Sequence, residues 1–357
     1  SEGDIRIRYR IDGVLHEVMR SPKNIQNALI SRLKVMADIN IAERRVPQDG
    51  RVGLVVGGRA VDLRVATLPT VYGEKVVLRI LDKTSVLLRL EDLGFLEGPY
   101  RRFEGAFRKP YGTVLATGPT GSGKSTSLYA TLNIINTPDR NIITIEDPVE
   151  YRLPGVNQIQ VNVKAGLTFA SALRSILRAD PDVILVGEIR DRETALIAME
   201  AALTGHLVLS TLHTNDAASA ITRLIEMGVE AYLVASALDC VVAQRLARKL
   251  CERCREEYEP SEAELEGAGV PPDAGVERLY RPVGCPACGK TGFKGRVGLY
   301  EVMLVSEEIE KLTVERISSE DIRKVAMEQG MITLRQDGLE KVRMGLTSLE
   351  EVFRVVA

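Results

Sequence analysis

The sequence predicts an α/β fold in which a buried parallel sheet follows a smaller α+β unit, and three observations carry that reading. Four apolar runs of strand length, "GTVLATG", "NIITIED", "DVILVGE" and "GHLVLST", alternate with helical stretches. Strands that are apolar throughout belong to sheets covered on both faces. Residues 1–90 instead show short strands, partly alternating, around one amphipathic helix, the pattern of a sheet with one wet face. Between the first apolar run and the helix after it lies the glycine-rich loop "GPTGSGKS", at the strand end where an open α/β sheet binds its ligands.

The elements follow in order. "DIRIRYRIDGVLHEV" alternates about Asp12-Gly13, a hairpin signal. "NIQNALISRLKVMADI" puts Ile25, Leu29, Leu33 and Met36 on one helical face. "GRVGLVVGGRAVDLRVATLPT" and "EKVVLRILD" read as further strands punctuated by Gly57-Gly58, and "KTSVLLRLEDLGF" (83–95) reads as a connection. The expected organisation is therefore an α+β domain at 1–90, a linker at 91–97, an α/β core at 98–250, a Cys-, Pro- and Gly-rich insertion at 251–297 and a helical tail at 298–357. In the tail, Ser319 with Asp321 and Ser348 with Glu351 are expected caps. "AYLVASALDCVVAQRL" reads as an apolar helix carrying Cys240 as a small buried hydrophobe.

Composition bounds the function. The 357 residues suit two or three domains. A formal net charge of −2 with 4% aromatic residues excludes a strongly basic footprint for nucleic acid or anionic lipid. No stretch reaches the roughly 18 apolar residues that cross a bilayer, and "SEGDIRIRYR" has no apolar signal core. A cytoplasmic protein is expected. The abrupt, strand-like start suggests that N-terminal residues are missing.

The chemistry begins at Gly118, Pro119, Thr120, Gly121, Ser122, Gly123, Lys124 and Ser125, followed by Thr126. This stretch fits G-x-x-x-x-G-K-[ST] between a strand and a helix. Its glycines let backbone N–H groups face a phosphate, and the helix N-terminus adds positive potential. Lys124 would reach the β- and γ-phosphates of ATP, and Ser125 would ligate Mg²⁺. Two apolar strands end in acids, Glu146-Asp147 and Glu188, placed to hold the metal's waters or orient the attacking water. Of these, Glu188 is preferred for that role and Glu146 is its close competitor. His206 and His213 flank a further strand, and His213 follows its carboxyl end. Arg174 and Arg178, spaced i,i+4, are read as sharing one helical face.

Five cysteines, an odd and clustered set, point to thiols or metal more than to disulfides. Cys251 with Cys254 and Cys285 with Cys288 form two C-x2-C pairs. Four thiolates would close a tetrahedral, structural Zn²⁺ site with no open position. A redox dithiol and a metal-free remnant are the alternatives.

Taken together, Gly118–Ser125, "IITIEDPVEY", "DVILVGEIRD" and "GHLVLSTLHTND" resemble the Walker A, Asp, Walker B and His boxes of the type II/IV secretion ATPase family. "RVPQDGRVGL", "DLRVATLPTVYGEKVVLRILD" and the paired cysteines extend the resemblance over nearly the whole chain. It implies a PAS-like N-terminal domain joined to a RecA-like ATPase core, assembled as a homo-hexamer that powers type IV pilus assembly or type II secretion. It also implies that Arg64 and Arg79 approach the phosphates when the domains close, and that the cysteine insertion separates assembly and secretion motors from retraction motors. The implied partners are an inner-membrane platform protein and its cytoplasmic adaptor, docked mainly through absent N-terminal domains, with no specific nucleic acid. A RecA-like nucleic-acid translocase or DNA-uptake ATPase is the alternative.

Overall fold

The computed structural model describes residues 3–82, 89–267, 269–270 and 278–356. The chain divides into two compact units, Ser1–Val86 and Leu87–Ala357. Residues 83–88 of the expected connection lie outside the described residues.

In the first unit, β1 (Asp4–Ile11) and β2 (Val14–Pro22) pair antiparallel about Asp12-Gly13, as the turn signal predicts. Helix α1 (Gln26–Met36) leads to a meander of β3 (Gln48–Val56), β4 (Arg59–Thr70) and β5 (Gly73–Asp82). One face of the meander buries Val52 and Val65 against Ala37 and Ile39, which follow α1. The other face takes residues of opposite parity. There Arg51 lies opposite Arg64, and Arg64 opposite Arg79, so three arginines occupy one rung of the sheet.

The second unit opens with a 3-10 turn (Leu90–Leu93) and α2 (Glu97–Phe107). The stretch 91–97, expected as a linker, therefore carries regular structure, with Leu90 fully buried and Phe95 stacked on Tyr300. The order then is β6 (Gly112–Thr117), α3 (Lys124–Ile135), β7 (Ile142–Glu146), β8 (Asn157–Gln160), α4 (Phe169–Ile176), β9 (Val183–Val186), α5 (Arg192–Leu203) and β10 (Leu207–Leu212). Next come α6 (Ala218–Glu226), α7 (Ala231–Ala237), β11 (Leu238–Leu250), β12 (Glu256–Tyr258), α8 (Glu262–Gly267), β13 (Leu279–Arg281) and β14 (Phe293–Leu304). Four helices close the chain: α9 (Glu307–Val314), α10 (Ser319–Glu328), α11 (Leu334–Arg343) and α12 (Leu349–Val356).

Seven strands form one sheet in the order β14-β11-β6-β10-β9-β7-β8. All neighbours are parallel except β14, which pairs antiparallel with β11. Both faces are covered, which explains the continuous apolar runs. Val183 and Leu185 of β9 pack with α2 and α3, while Ile184 and Val186 pack into the larger cluster with α4 and α5.

Three local expectations need correction. Cys240 is fully buried, but in β11 and not in a helix: α7 stops at Ala237, and the following residues pair with Val114 and Leu115 of β6. The β-branched run Val241-Val242 finds its partners across the sheet, and that tertiary pairing outweighs helical periodicity. The helical tail starts after Leu304 and not at 298, because β14 covers 293–304. Helix α10 is capped by Ser318, one residue earlier than expected, whereas Ser348 does accept the Glu351 N–H.

Asp337 and Lys341 of α11 form an ion pair in which both side chains are fully buried. Lys341 also donates to Gly298 O at 2.6 Å, and Asp337 accepts from Tyr300 N at 3.1 Å, which fastens α11 to β14. Removing one partner of such a pair leaves an uncompensated buried charge. Lys341→Met should therefore lower the unfolding free energy by about 3 kcal/mol, read from denaturant midpoints. The double change Asp337→Leu with Lys341→Met should recover much of that loss; simple additivity of the two single losses would refute the pairing argument.

Candidate nucleotide site

The site is built by parallel register. Thr117 at the end of β6 pairs with Leu212 of β10, Ser210 of β10 pairs with Val186 of β9, and Val186 pairs with Ile145 of β7. The residues at and just beyond these strand ends are thereby brought to one end of the sheet: the loop from Gly118, His213, Gly187-Glu188, and Glu146-Asp147.

The loop 118–123 turns sharply into α3, whose first residue is Lys124. Gly118 has φ +144°, and a Cβ there would stand 2.5 Å from Gln244 O and 2.7 Å from Ser122 Oγ. No other residue fits that position. Pro119, Thr120, Gly121 and Ser125 are exposed around the loop mouth, with Thr126 half-buried behind them. Lys124 is buried and donates to Gly118 O at 2.7 Å and Pro119 O at 3.0 Å. Burial pushes its ammonium down to about 8, against the opposing pull of the Glu188 charge.

The two acids differ in their surroundings. Glu146 is buried and receives three donors: the Tyr129 hydroxyl, the Thr144 hydroxyl at 2.6 Å and the Gln158 amide at 3.1 Å. Burial and the Glu146 charge together push the Tyr129 hydroxyl far up, so it stays a donor. Both carboxylate oxygens of Glu146 are thus engaged by protein groups. Glu188 keeps more freedom. It meets Arg190 at 2.6 Å and His213 Nε2 at 3.5 Å, and its charge reaches Lys124. The Arg190 and His213 side chains are half or more exposed, so both are movable partners.

The loop that carries His213 is pinned to the neighbouring strands of the sheet. The Thr117 hydroxyl accepts the Thr214 N–H at 2.8 Å and bonds the Thr214 hydroxyl at 2.6 Å. Arg245 of β11 donates to Asn215 O at 3.1 Å, and Glu301 of β14 accepts the Ala217 N–H at 2.9 Å. His206, by contrast, precedes β10 at the opposite end of the sheet, with Nδ1 2.8 Å from Ala201 O. It fastens a turn. Arg174 pairs with Glu193. Arg178 lies beyond the α4 cap Leu177 and folds back on Arg174 O at 2.9 Å, so the two arginines do not share a helical face as expected.

Arg64 and Arg79 lie on the arginine rung of the first unit, with Arg51 as a third member that sequence reasoning missed. Cross-strand register, invisible before pairing is known, is the signal that finds it. Tyr129, Thr144 and Gln158 were missed for the same reason: their role is a contact around Glu146, not a motif.

The four cysteines converge. Cys251 follows β11 directly, Cys254 ends the next turn, and Cys285 and Cys288 bracket one 3-10 turn. Their sulfurs all lie within 4.8 Å of one another, with Cys251–Cys285 at 3.9 Å and Cys254–Cys288 at 3.8 Å. A zinc–sulfur tetrahedron with bonds of about 2.3 Å has edges of about 3.8 Å, so the set fits that ion. The N–H groups of Cys285 and Gly292 both point at the Cys288 sulfur, at 3.2 Å, and lower its thiol to about 6.

A family model described as type II/IV secretion system protein matches residues 1–354. The type IV pilus assembly ATPase PilB of Thermus thermophilus is 54% identical over 361 residues, spanning 98% of this chain and 40% of that protein. Type II secretion system protein E of Pectobacterium carotovorum subsp. carotovorum is 52% identical over 349 residues, spanning 98% of this chain and 69% of that protein. The solved structure of the pilus retraction motor PilT with bound ADP matches at TM-score 0.64 and 28% identity, covering 99% of this chain and 92% of that one. The chain spans well under half of the first relative's length. With a family model that runs almost end to end and relatives identical at more than half of the aligned positions, the chain belongs to the type II/IV secretion system protein family.

Proposed function

We propose that this chain is the motor portion of an ATPase that works as a hexamer and powers type IV pilus assembly or type II secretion. The observation that carries the reading is the convergence of Lys124, Ser125, Glu188, Glu146 and His213 at the carboxyl ends of adjacent parallel strands. The phosphate loop binds the β- and γ-phosphates, with Lys124 exchanging its carbonyl partners for phosphate oxygens. Ser125, exposed at the first turn of α3, is the residue that would hold Mg²⁺, which supplies charge neutralisation on the phosphates when bound. Glu188 orients the attacking water and takes its proton, because its carboxylate contacts only movable partners. Glu146, caged by three donors, holds the strand end in place. His213 sits beside Glu188, with Nε2 at 3.5 Å, and would sense the γ-phosphate from there. For Arg64 and Arg79, which share one rung of the first unit's sheet with Arg51, the proposed role is the one the family resemblance implies, neutralising phosphate charge.

Among the described residues no helix is long and apolar enough to cross a membrane. Attachment through an inner-membrane platform protein and a cytoplasmic adaptor is consistent with that. The relatives are named for secretion and pilus assembly, which favours this motor over a nucleic-acid translocase. The four-cysteine cluster supports a structural zinc and, with it, the assembly or secretion branch.

Three measurements test this reading. Glu188→Gln should reduce ATP turnover at least about 100-fold, and Glu146→Gln less; a dead Glu146→Gln beside an active Glu188→Gln would reverse the assignment. Phosphate binding needs the charged lysine, and Lys124 in the free protein carries its proton only below about pH 8. kcat/KM should therefore fall about tenfold per pH unit above that point, while kcat at saturating Mg·ATP stays level because bound phosphates hold the ammonium charged. A kcat/KM that stays flat to about pH 9.5 contradicts the argument. Metal analysis should find about one zinc per chain, and Cys285→Ser should lose it together with several degrees of melting temperature. Zinc retained at full stoichiometry in that variant would count against the cluster.

A further inference from the structure

We infer that Gln244 is a positioning residue of the phosphate loop, holding the Ser122–Gly123 peptide so that the Gly123 N–H faces the bound anion. The inference rests on the nucleotide reading above.

Strand β11 runs parallel to β6 only as far as Ala243, opposite Thr117. Gln244 is the next residue. It therefore stands behind the loop that leaves β6, and its carbonyl is the group a Gly118 Cβ would strike. The Gln244 side chain is 1% exposed. Its Nε2 donates to Ser122 O at 2.7 Å, and the same nitrogen would lie 3.1 Å from a Cβ on Gly123. In a trans peptide the carbonyl and the N–H point in opposite directions. A hydrogen bond that draws the Ser122 carbonyl back toward β11 therefore turns the Gly123 N–H outward, to the loop's concave side. Gly123 has φ +91°, and a glycine rotates that peptide at little steric cost. Were it to flip, a carbonyl oxygen would replace an N–H at the phosphates, and repulsion would replace attraction.

A second observation separates this role from ordinary packing. Gln244 Oε1 is buried and has no hydrogen-bond partner. A buried amide with one end unsatisfied is a poor way to fill a core, and an apolar side chain of similar size would suit stability as well or better. The amide is explained by what its nitrogen holds. Swapping its ends would set two acceptors, Oε1 and Ser122 O, against each other, which fixes the assignment.

The test uses the full chain, Gln244→Leu and Gln244→Met, with Mg·ADP binding by calorimetry, ATP hydrolysis kinetics and melting. The dissociation constant for ADP and the KM for ATP should rise at least about fivefold. kcat should stay within about twofold, since the lost contact serves ground state and transition state alike. The melting temperature should be equal or higher. Unchanged ADP affinity in a folded variant overturns the inference, as does a fall in kcat at constant KM. Weaker binding that merely tracks a lowered melting temperature in both variants also overturns it. Wild-type chain that binds no ADP would instead overturn the nucleotide reading, and this inference with it.

Discussion

Everything chemical in this protein depends on the alignment of four parallel strands at their carboxyl ends. A parallel ladder admits one register once both faces are buried, because a slip of one residue would turn every apolar side chain to the wrong layer. Val183 and Leu185 are committed to one helical layer, Ile184 and Val186 to the other. That commitment sets Glu188 two residues beyond Val186, beside the end of β10. The core is what holds the phosphate loop, the acids and the His213 loop at one end of the sheet; no contact among those polar residues would suffice to gather them.

Hydrogen bonds across the strand ends then refine what register makes possible. Thr117 at the end of β6 binds Thr214, Arg245 of β11 binds Asn215, and Glu301 reaches Ala217 from the edge strand. The loop after β10 is the common partner of this set, and strand β11 enters it through Arg245. Beyond Gln244 and Arg245 it carries Arg248, which bonds Glu351 of α12, and it ends beside Cys251. The cysteine cluster and the closing helices are thus fastened to the same strand that backs the phosphate loop.

Much of this could be read in the sequence. The apolar runs, the loop at Gly118–Ser125, the acidic strand ends and the paired cysteines are local patterns, and the structure brings each set together. What could not be read is non-local. Val241-Val242 looked helical beside α7 because only pairing with β6 and β14 makes it a strand. Glu146 and Glu188 looked alike because nothing near either in sequence reveals that Tyr129 and Gln158 surround only the first. Arg178 matched a helical spacing but fell past the end of α4, a boundary that periodicity does not mark. Gln244 carried no motif at all; it matters because β11 outruns β6 by design of the sheet.

The arginine rung of the first unit has a consequence for how that unit feels its surroundings. Arg51, Arg64 and Arg79 stand opposite one another on neighbouring strands, and like charges so placed weaken a sheet to the extent that their other contacts leave them unbalanced. Any anion that settles on the rung relieves that weakening. By linkage, the free energy by which the anion steadies the sheet equals the free energy by which the sheet's order favours the anion. The order of the meander is thereby sensitive to ionic strength, which screens like charges placed side by side.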